Sequence, residues 1–221
     1  MRMDVLKSFV ITIIHNPKSI EVAERCIESG KKFGLDIKMF RAITPHNDPL
    51  LLAENEGISP MGFEEKYSRN LNCISAFLSH FNLWKYSAMN NEEIVVFEHD
   101  AVMIDQIPTN ANYKHVMNIG EPSYGKFNIP RQLGVNPLTT KAYFPGAHAY
   151  MVKPSGANLL INEARKFGRP TDVFLNKSTF PWLQEYYPFV AKAKDSFTTI
   201  QVEEGCLAKH NWREGYDIID A

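Results

Sequence analysis

The run Ile94-Val95-Val96-Phe97, which ends in Glu98-His99-Asp100, constrains the fold more than any other stretch of the chain. Four consecutive apolar residues, mostly β-branched, do not alternate between faces. Such a run reads as a strand buried on both sides, as in a parallel sheet covered by helices. In open α/β sheets, ligands gather beyond the carboxyl ends of the strands, where Glu98 and Asp100 fall. Two carboxylates there can hold a hard divalent cation, which in turn neutralises phosphate. A strand that simply runs into a polar loop would carry the same residues, and this stretch alone does not separate the two readings.

Phe9-Val10-Ile11-Thr12-Ile13-Ile14 is a second run of the same kind and makes a first strand. Asn16-Pro17 follows as a helix start, with Asn as cap and Pro at the first helical position. Ile20, Ala23, Ile27 and Gly30 recur at helical spacing as far as Phe33-Gly34, and residues 36–40 read as the next strand. Strand, helix and strand with short joins form a βαβ unit with a right-handed crossover. No glycine-rich phosphate loop follows the first strand. His15-Asn16-Pro17 stands there instead, which by itself is a capped turn.

Residues 44–62 contain Pro45, Pro49, Gly57 and Pro60 and read as loop, with a helical turn at 50–53. Residues 72–88 are the clearest helix, with Ile74, Phe77, Leu78, Phe81, Trp84 and Ala88 on one apolar stripe. Ser75, Ser79, His80 and Lys85 lie off its centre and are expected on a solvated or half-buried face. A short strand is expected at 114–119. The polar stretch 126–142, with Pro130, Gly134 and Pro137, reads as a flexible flap. Residues 143–152 have strand character around Gly146, and a helix runs from Ser155 to Gly168. Asp172 is left in a loop marked by Pro170. Weak strands at 189–191 and 198–201 precede a polar tail containing His210 and Trp212.

The composition excludes several classes. A formal net charge of −1 over 221 residues gives no basic footprint for nucleic acid. Cys26, Cys73 and Cys206 lack metal or disulfide spacing, and an odd count suits a reducing cytosol. Charges at Arg2, Asp4 and Lys7 interrupt any signal-peptide core, and no apolar run reaches the length of a membrane span. The expectation is a soluble, cytoplasmic protein forming a single domain over residues 1–221.

Four segments, in order, resemble glycosyltransferase family 25, the lipopolysaccharide and collagen sugar-transferase group, which has a GT-A fold. Residues 73–80 (Cys-Ile-Ser-Ala-Phe-Leu-Ser-His), trailed by Trp84, resemble the family's Gly-Cys-x-x-Ser-His helix. Residues 95–101 resemble its apolar strand ending in Glu-Asp-Asp. Residues 146–152, with the small-residue helix start at 155–157, resemble its Gly-x-x-Ala-Tyr segment. Pro170-Thr171-Asp172 resembles its Pro-Val-Asp. His99 replaces the central acid, and Asn72 stands where the family has Gly. Imidazole is a softer ligand than carboxylate, acceptable to Mn²⁺ more than to Mg²⁺.

The resemblance implies an α/β, GT-A-like single domain with a mostly parallel central sheet flanked by helices. It implies transfer of a sugar from a nucleoside diphosphate, uridine-linked, to a glycan or protein hydroxyl, with Mn²⁺ or Mg²⁺ as cofactor. Glu98 and Asp100 would hold the metal, with His210 as a further ligand. Ile14, His15, Arg41, Ala42 and Ile43 would meet the nucleoside, and Ser75 and His80 would belong to the donor site. His80 and Ser79 would brace the acidic loop. Asp172 would be the catalytic base of an inverting reaction, or would orient the sugar in a retaining one. Two rivals stay open: a degenerate GT-A domain that binds without turnover, and a nucleotidyltransferase, although the latter normally adds a basic, glycine-rich loop after its first strand.

Overall fold

A computed structural model describes residues 6–64, 68–108, 111–194, 197–200 and 217–221. The first strand, β1 (Lys7–Thr12), leads into α1 (Pro17–Lys31), then β2 (Ile37–Arg41) and α2 (Pro49–Asn55). A long helix, α3 (Asn70–Asn90), delivers the chain to β3 (Ile94–Glu98) and β4 (Ala101–Met103). After β5 (Val116–Asn118), β6 (Gly134–Pro137) and β7 (Ala149–Val152) come α4 (Pro154–Ala164), the single turn α5 (Thr171–Phe174) and β8 (Gln184–Tyr187). Three short strands end the description: β9 (Ala191–Ala193), β10 (Phe197–Thr198) and β11 (Asp217–Ile218).

The main sheet has seven strands in the order β2-β1-β3-β7-β5-β8-β6. β2, β1, β3, β5 and β8 run one way, while β7 and β6 run against them. The two apolar runs are therefore interior and parallel to each other, as their patterning requires. On β3, Ile94 and Val96 enter a core layer beneath α3 and α4, while Val95 and Phe97 enter a second layer beneath α1. All four are completely buried. Each such side chain contributes roughly 1.5–3 kcal/mol of transfer free energy.

Local chemistry sets the helix ends. Asn16 Oδ1 accepts from the Lys18 and Ser19 amides, and Pro17 opens α1 at no hydrogen-bond cost. At the other end of α1, Gly30 lies against β2: a Cβ there would sit 2.5 Å from Ile37 Cδ1.

The structure differs from the sequence reading in four places. Ser75, Ser79 and His80 are buried, because α3 is enclosed by the sheet, α2 and α4 rather than resting on one face. Residues 126–142 are not a flap: they contain β6, the edge strand, where Pro137 needs no outward N–H. Asp172 lies in the turn α5 and not in a loop. The late strands fall at 191–193 and 197–198, and β4, β6 and β8 carry too little hydrophobic periodicity to be seen in advance.

Candidate functional site

At the carboxyl ends of β1 and β2 the chain segments meet directly. The Ala42 amide donates to the Thr12 carbonyl at 2.9 Å, which sets residues 42 and 43 beside the turn that follows β1. Ile14 and His15 are exposed there, and the His15 ring lies 5.6 Å from that of His46. Ile43 is fixed from α3, whose Ser79 hydroxyl accepts its amide at 2.8 Å and donates to the Ser75 carbonyl. Ser79 thus braces the β2 exit and not the acidic loop, a correction to the expected role. Arg41 is exposed at the end of β2, and Ser75 is enclosed within α3's buried face.

Glu98 ends β3, and its amide extends the ladder to the His148 carbonyl at 2.9 Å. A buried polar chain stands behind its carboxylate. Trp84 Nε1 donates to the Tyr150 hydroxyl at 2.8 Å, that hydroxyl lies 2.9 Å from His80 Nδ1, and His80 Nε2 lies 3.0 Å from Glu98 Oε1. Since Trp84 can only donate, the Tyr150 proton is assigned to His80 Nδ1, and the imidazole proton to the Nε2–H that donates to Glu98. Burial pushes His80 down to about 3, although the charge of Asp172 opposes the shift. His80 is therefore neutral and orients Glu98 by a hydrogen bond. Burial likewise raises Tyr150 well above the usual phenol range. Sequence reading placed Trp84 on an apolar stripe and Tyr150 in a strand; only their meeting across α3 and β7 reveals the chain.

His99 turns toward α1, its Nδ1 2.7 Å from the Ser19 hydroxyl and its ring 5.3 Å from that of Phe197. The same hydroxyl accepts the Ile13 amide, so the residue that departs from the acidic pattern ties the β3 turn to the β1 turn. Asp100 follows, with its carbonyl accepting from the Lys194 amide at 2.9 Å. Its charge also reaches Cys26 on α1, whose thiol is pushed up to about 12, mainly by burial. Glu98 is thus tied to α3 through His80, while Asp100 lies near enough to α1 for its charge to bear on Cys26. Among the described residues no group of three His, Cys, Asp or Glu side chains converges on a point. His210 lies outside the described residues.

Asp172 belongs to the same end of the molecule. α5 is held by Phe174, which stacks on Trp84 at 5.6 Å between ring centres. Asp172 Oδ2 accepts from the Tyr124 hydroxyl at 2.6 Å, and Oδ1 accepts the Val173 amide. Burial and the neighbouring Asp172 charge raise Tyr124 far above the normal phenol range, so it remains a donor. Tyr124 was not singled out from sequence, where it reads as an ordinary loop aromatic.

Residues 7–124, more than half of the chain, match the family described as glycosyltransferase family 25 (LPS biosynthesis protein). No curated protein matches. Among solved structures, CTP:phosphocholine cytidylyltransferase from Streptococcus pneumoniae is similar over 86% of this chain and 93% of that one, at 11% identity and a TM-score of 0.38. The family match runs from the first strand through the Cys73–His80 helix and the Glu98-His99-Asp100 turn, and on it the chain belongs to glycosyltransferase family 25.

Proposed function

We propose that the chain is a metal-assisted glycosyltransferase of GT-A-like, single-domain design. It takes sugar from a uridine diphosphate donor and passes it to a hydroxyl of a glycan or protein. The observation that carries this reading is Glu98 at the carboxyl end of a central strand, oriented by a buried, neutral His80, beside the β1 and β2 exits. Glycosyl transfer in general follows from the family; donor, metal and acceptor are our reading.

The donor set suits a hard cation. Mg²⁺ and Mn²⁺ are commonly held by one or two carboxylates, with substrate phosphates and waters completing the shell. Carboxylates that hold metals are themselves held by outer hydrogen bonds, as His80 holds Glu98. Asp100 would hold the ion, and Glu98 would join it directly or through water. When bound, the metal supplies Lewis-acid neutralisation of the leaving diphosphate. The nucleoside would lie on Ile14, His15, Arg41, Ala42 and Ile43, at the exits of two parallel strands. His80 aims Glu98 by its hydrogen bond without itself taking a proton. Asp172 would face the acceptor, taking its hydroxyl proton in an inverting reaction or orienting the sugar in a retaining one. It lies beyond the matched span of residues 7–124, so its role rests on its position and on the resemblance of Pro170-Thr171-Asp172 to Pro-Val-Asp. No helix among the described residues is long and apolar enough to cross a membrane.

The test is titration calorimetry of UDP-glucose, UDP-galactose and UDP-N-acetylglucosamine with Mn²⁺ and with chelator. Tighter binding with metal is expected. Equal affinities in the two conditions would refute the metal-assisted donor site. Donor that binds and is never cleaved, across metals and acceptors, would favour a domain that only binds.

A further inference from the structure

Tyr124 carries opposite charges at its two ends. Its hydroxyl donates to Asp172, and its carbonyl accepts from the Lys141 ammonium. That ammonium lies 4.7 Å from the centre of the Tyr124 ring and 5.6 Å from that of Tyr143. The two rings are 6.1 Å apart and inclined at 39°. All four residues are half-buried, so the cluster is open to a ligand. Among the described ion pairs, Lys141 has no carboxylate partner.

A lysine over an aromatic ring is common, and the plain reading is a stem packed for stability. The backbone around this one argues for more. Gly125 holds a left-handed φ of +67°, and a Cβ there would lie 2.8 Å from Lys141 Nζ. Gly146, also left-handed, leaves room for the Ser123 side chain, whose hydroxyl donates to the Pro145 carbonyl. Ala147 accepts a positive φ of 47° without being glycine, a strained choice that persists only where the surroundings enforce it. Three unusual backbone positions thus clear and shape the ground around one ammonium and two phenols.

We propose that Lys141, Tyr124 and Tyr143 form a subsite for an anionic sugar of the acceptor, one that carries a carboxylate or a phosphate. This rests on the reading of Asp172 as the acceptor-side carboxylate. The ammonium takes the acid, with N–H groups beyond the one given to Tyr124. The phenol rings meet the sugar's C–H faces. Asp172 sits at the far end of Tyr124 from the cation, so an acceptor whose acid lies on Lys141 presents a neutral hydroxyl to Asp172 and avoids its charge. An acceptor of the same shape without the acid would lose the charged contact, and one with the acid at the other end would be repelled.

The test is a chemical-shift titration of the full chain, labelled at lysine and tyrosine. The probes are glucuronic acid, glucose 6-phosphate, glucose and inorganic phosphate. Both acidic sugars should move the Lys141 and Tyr124 signals and bind about tenfold or more tighter than glucose; they should also bind tighter than phosphate alone. Comparable binding of one acid only would identify the charged group the site takes. Lys141→Met should erase the preference, and Lys141→Arg should retain most of it. If Lys141→Met fails to fold, high salt on the wild type makes the same test, because screening should reduce the preference to near parity. Equal binding of glucose and its acids, or a preference that survives both Lys141→Met and high salt, overturns the proposal. Phosphate binding as tight as glucose 6-phosphate does so too. UDP-sugar titration of the same sample separates the two hypotheses: intact donor binding without acid preference sinks only this one, and acid preference without donor binding sinks only the donor site.

Discussion

Glu98 and Asp172 are two carboxylates at one end of the same molecule, held in different ways. Behind Glu98 stands the buried sequence His80, Tyr150 and Trp84, drawn from a long helix and a central strand. Around Asp172 stand Tyr124 and, through it, Lys141, supplied by loops and half exposed. The first arrangement inherits the rigidity of the core. The second depends on loops meeting loops, which is where binding specificity is usually varied. On the roles proposed above, such a chain would change its acceptor by altering 120–146 without disturbing how the donor is held. The loops beside Asp172 have one deep anchor of their own. Glu185 on β8 is fully buried and accepts from the amides and hydroxyls of both Thr139 and Thr140.

The sharpest way to break the comparison is to remove one carboxylate charge on each side without changing size, Asp100 beside Glu98 and Asp172 itself. Asp100→Asn should reduce sugar transfer by on the order of a hundredfold or more and weaken Mn²⁺-dependent donor binding together. Asp172→Asn should reduce turnover while leaving donor affinity nearly intact. The measurement is transfer, or donor hydrolysis, beside titration calorimetry. Loss of donor affinity in Asp172→Asn would merge the two halves into one site.

Next in size is Glu185→Ala, which strands four donors in the interior. It should cost about 3 kcal/mol or more, seen as a lower urea midpoint. If residues 126–142 behave as a tethered segment and not a flap, proteolysis should move into that segment in the variant.

Tyr150→Phe removes one hydroxyl from the donor-side chain and leaves both Trp84 Nε1 and His80 Nδ1 without their partner. We expect about 1–3 kcal/mol of destabilisation, a fall in Tm of several degrees for a chain of this length. An unchanged Tm would mean that the chain behind Glu98 is slack.

The last effect is read as a slope. His80 is held at about 3 in the folded chain, against about 6.5 for an unfolded histidine. Between those values the unfolded chain takes up a proton that the folded chain refuses. The stabilisation due to a neutral His80 is therefore complete above about pH 6.5 and is lost as pH falls toward 3, by at most about 1.4 kcal/mol per pH unit. His80→Gln retains an amide donor for Glu98 and does not titrate. Urea midpoints from about pH 7 to about pH 4.5 should fall less steeply in this variant; parallel slopes would show that His80 is not the group refusing the proton.

Some of this was legible in the chain itself. Ile94–Phe97 contains nothing polar and the run from Phe9 only Thr12, whose hydroxyl is satisfied by the Val10 carbonyl, so burial on both faces was the stable outcome, and interior strands followed. Asn16-Pro17 carries its own cap, so α1 began where the local chemistry said it would. Glu98 and Asp100 were recognisable because they follow an unbroken apolar strand, and the family is written in such local segments. Tertiary structure decided the rest. Ser79 and His80 read as residues of a solvated or half-buried face because helical periodicity reports one covering face, and α3 is covered on several. The strand β6 stayed hidden because edge strands need neither alternation nor every N–H. Tyr124 lies 48 positions from Asp172, and Trp84 lies 66 from Tyr150; no spacing rule joins them. A pattern along the chain records which residues must leave water. Which polar atoms then meet is settled only when separate elements pack, because a hydrogen bond depends on position in space and direction, and neither is fixed by separation in sequence.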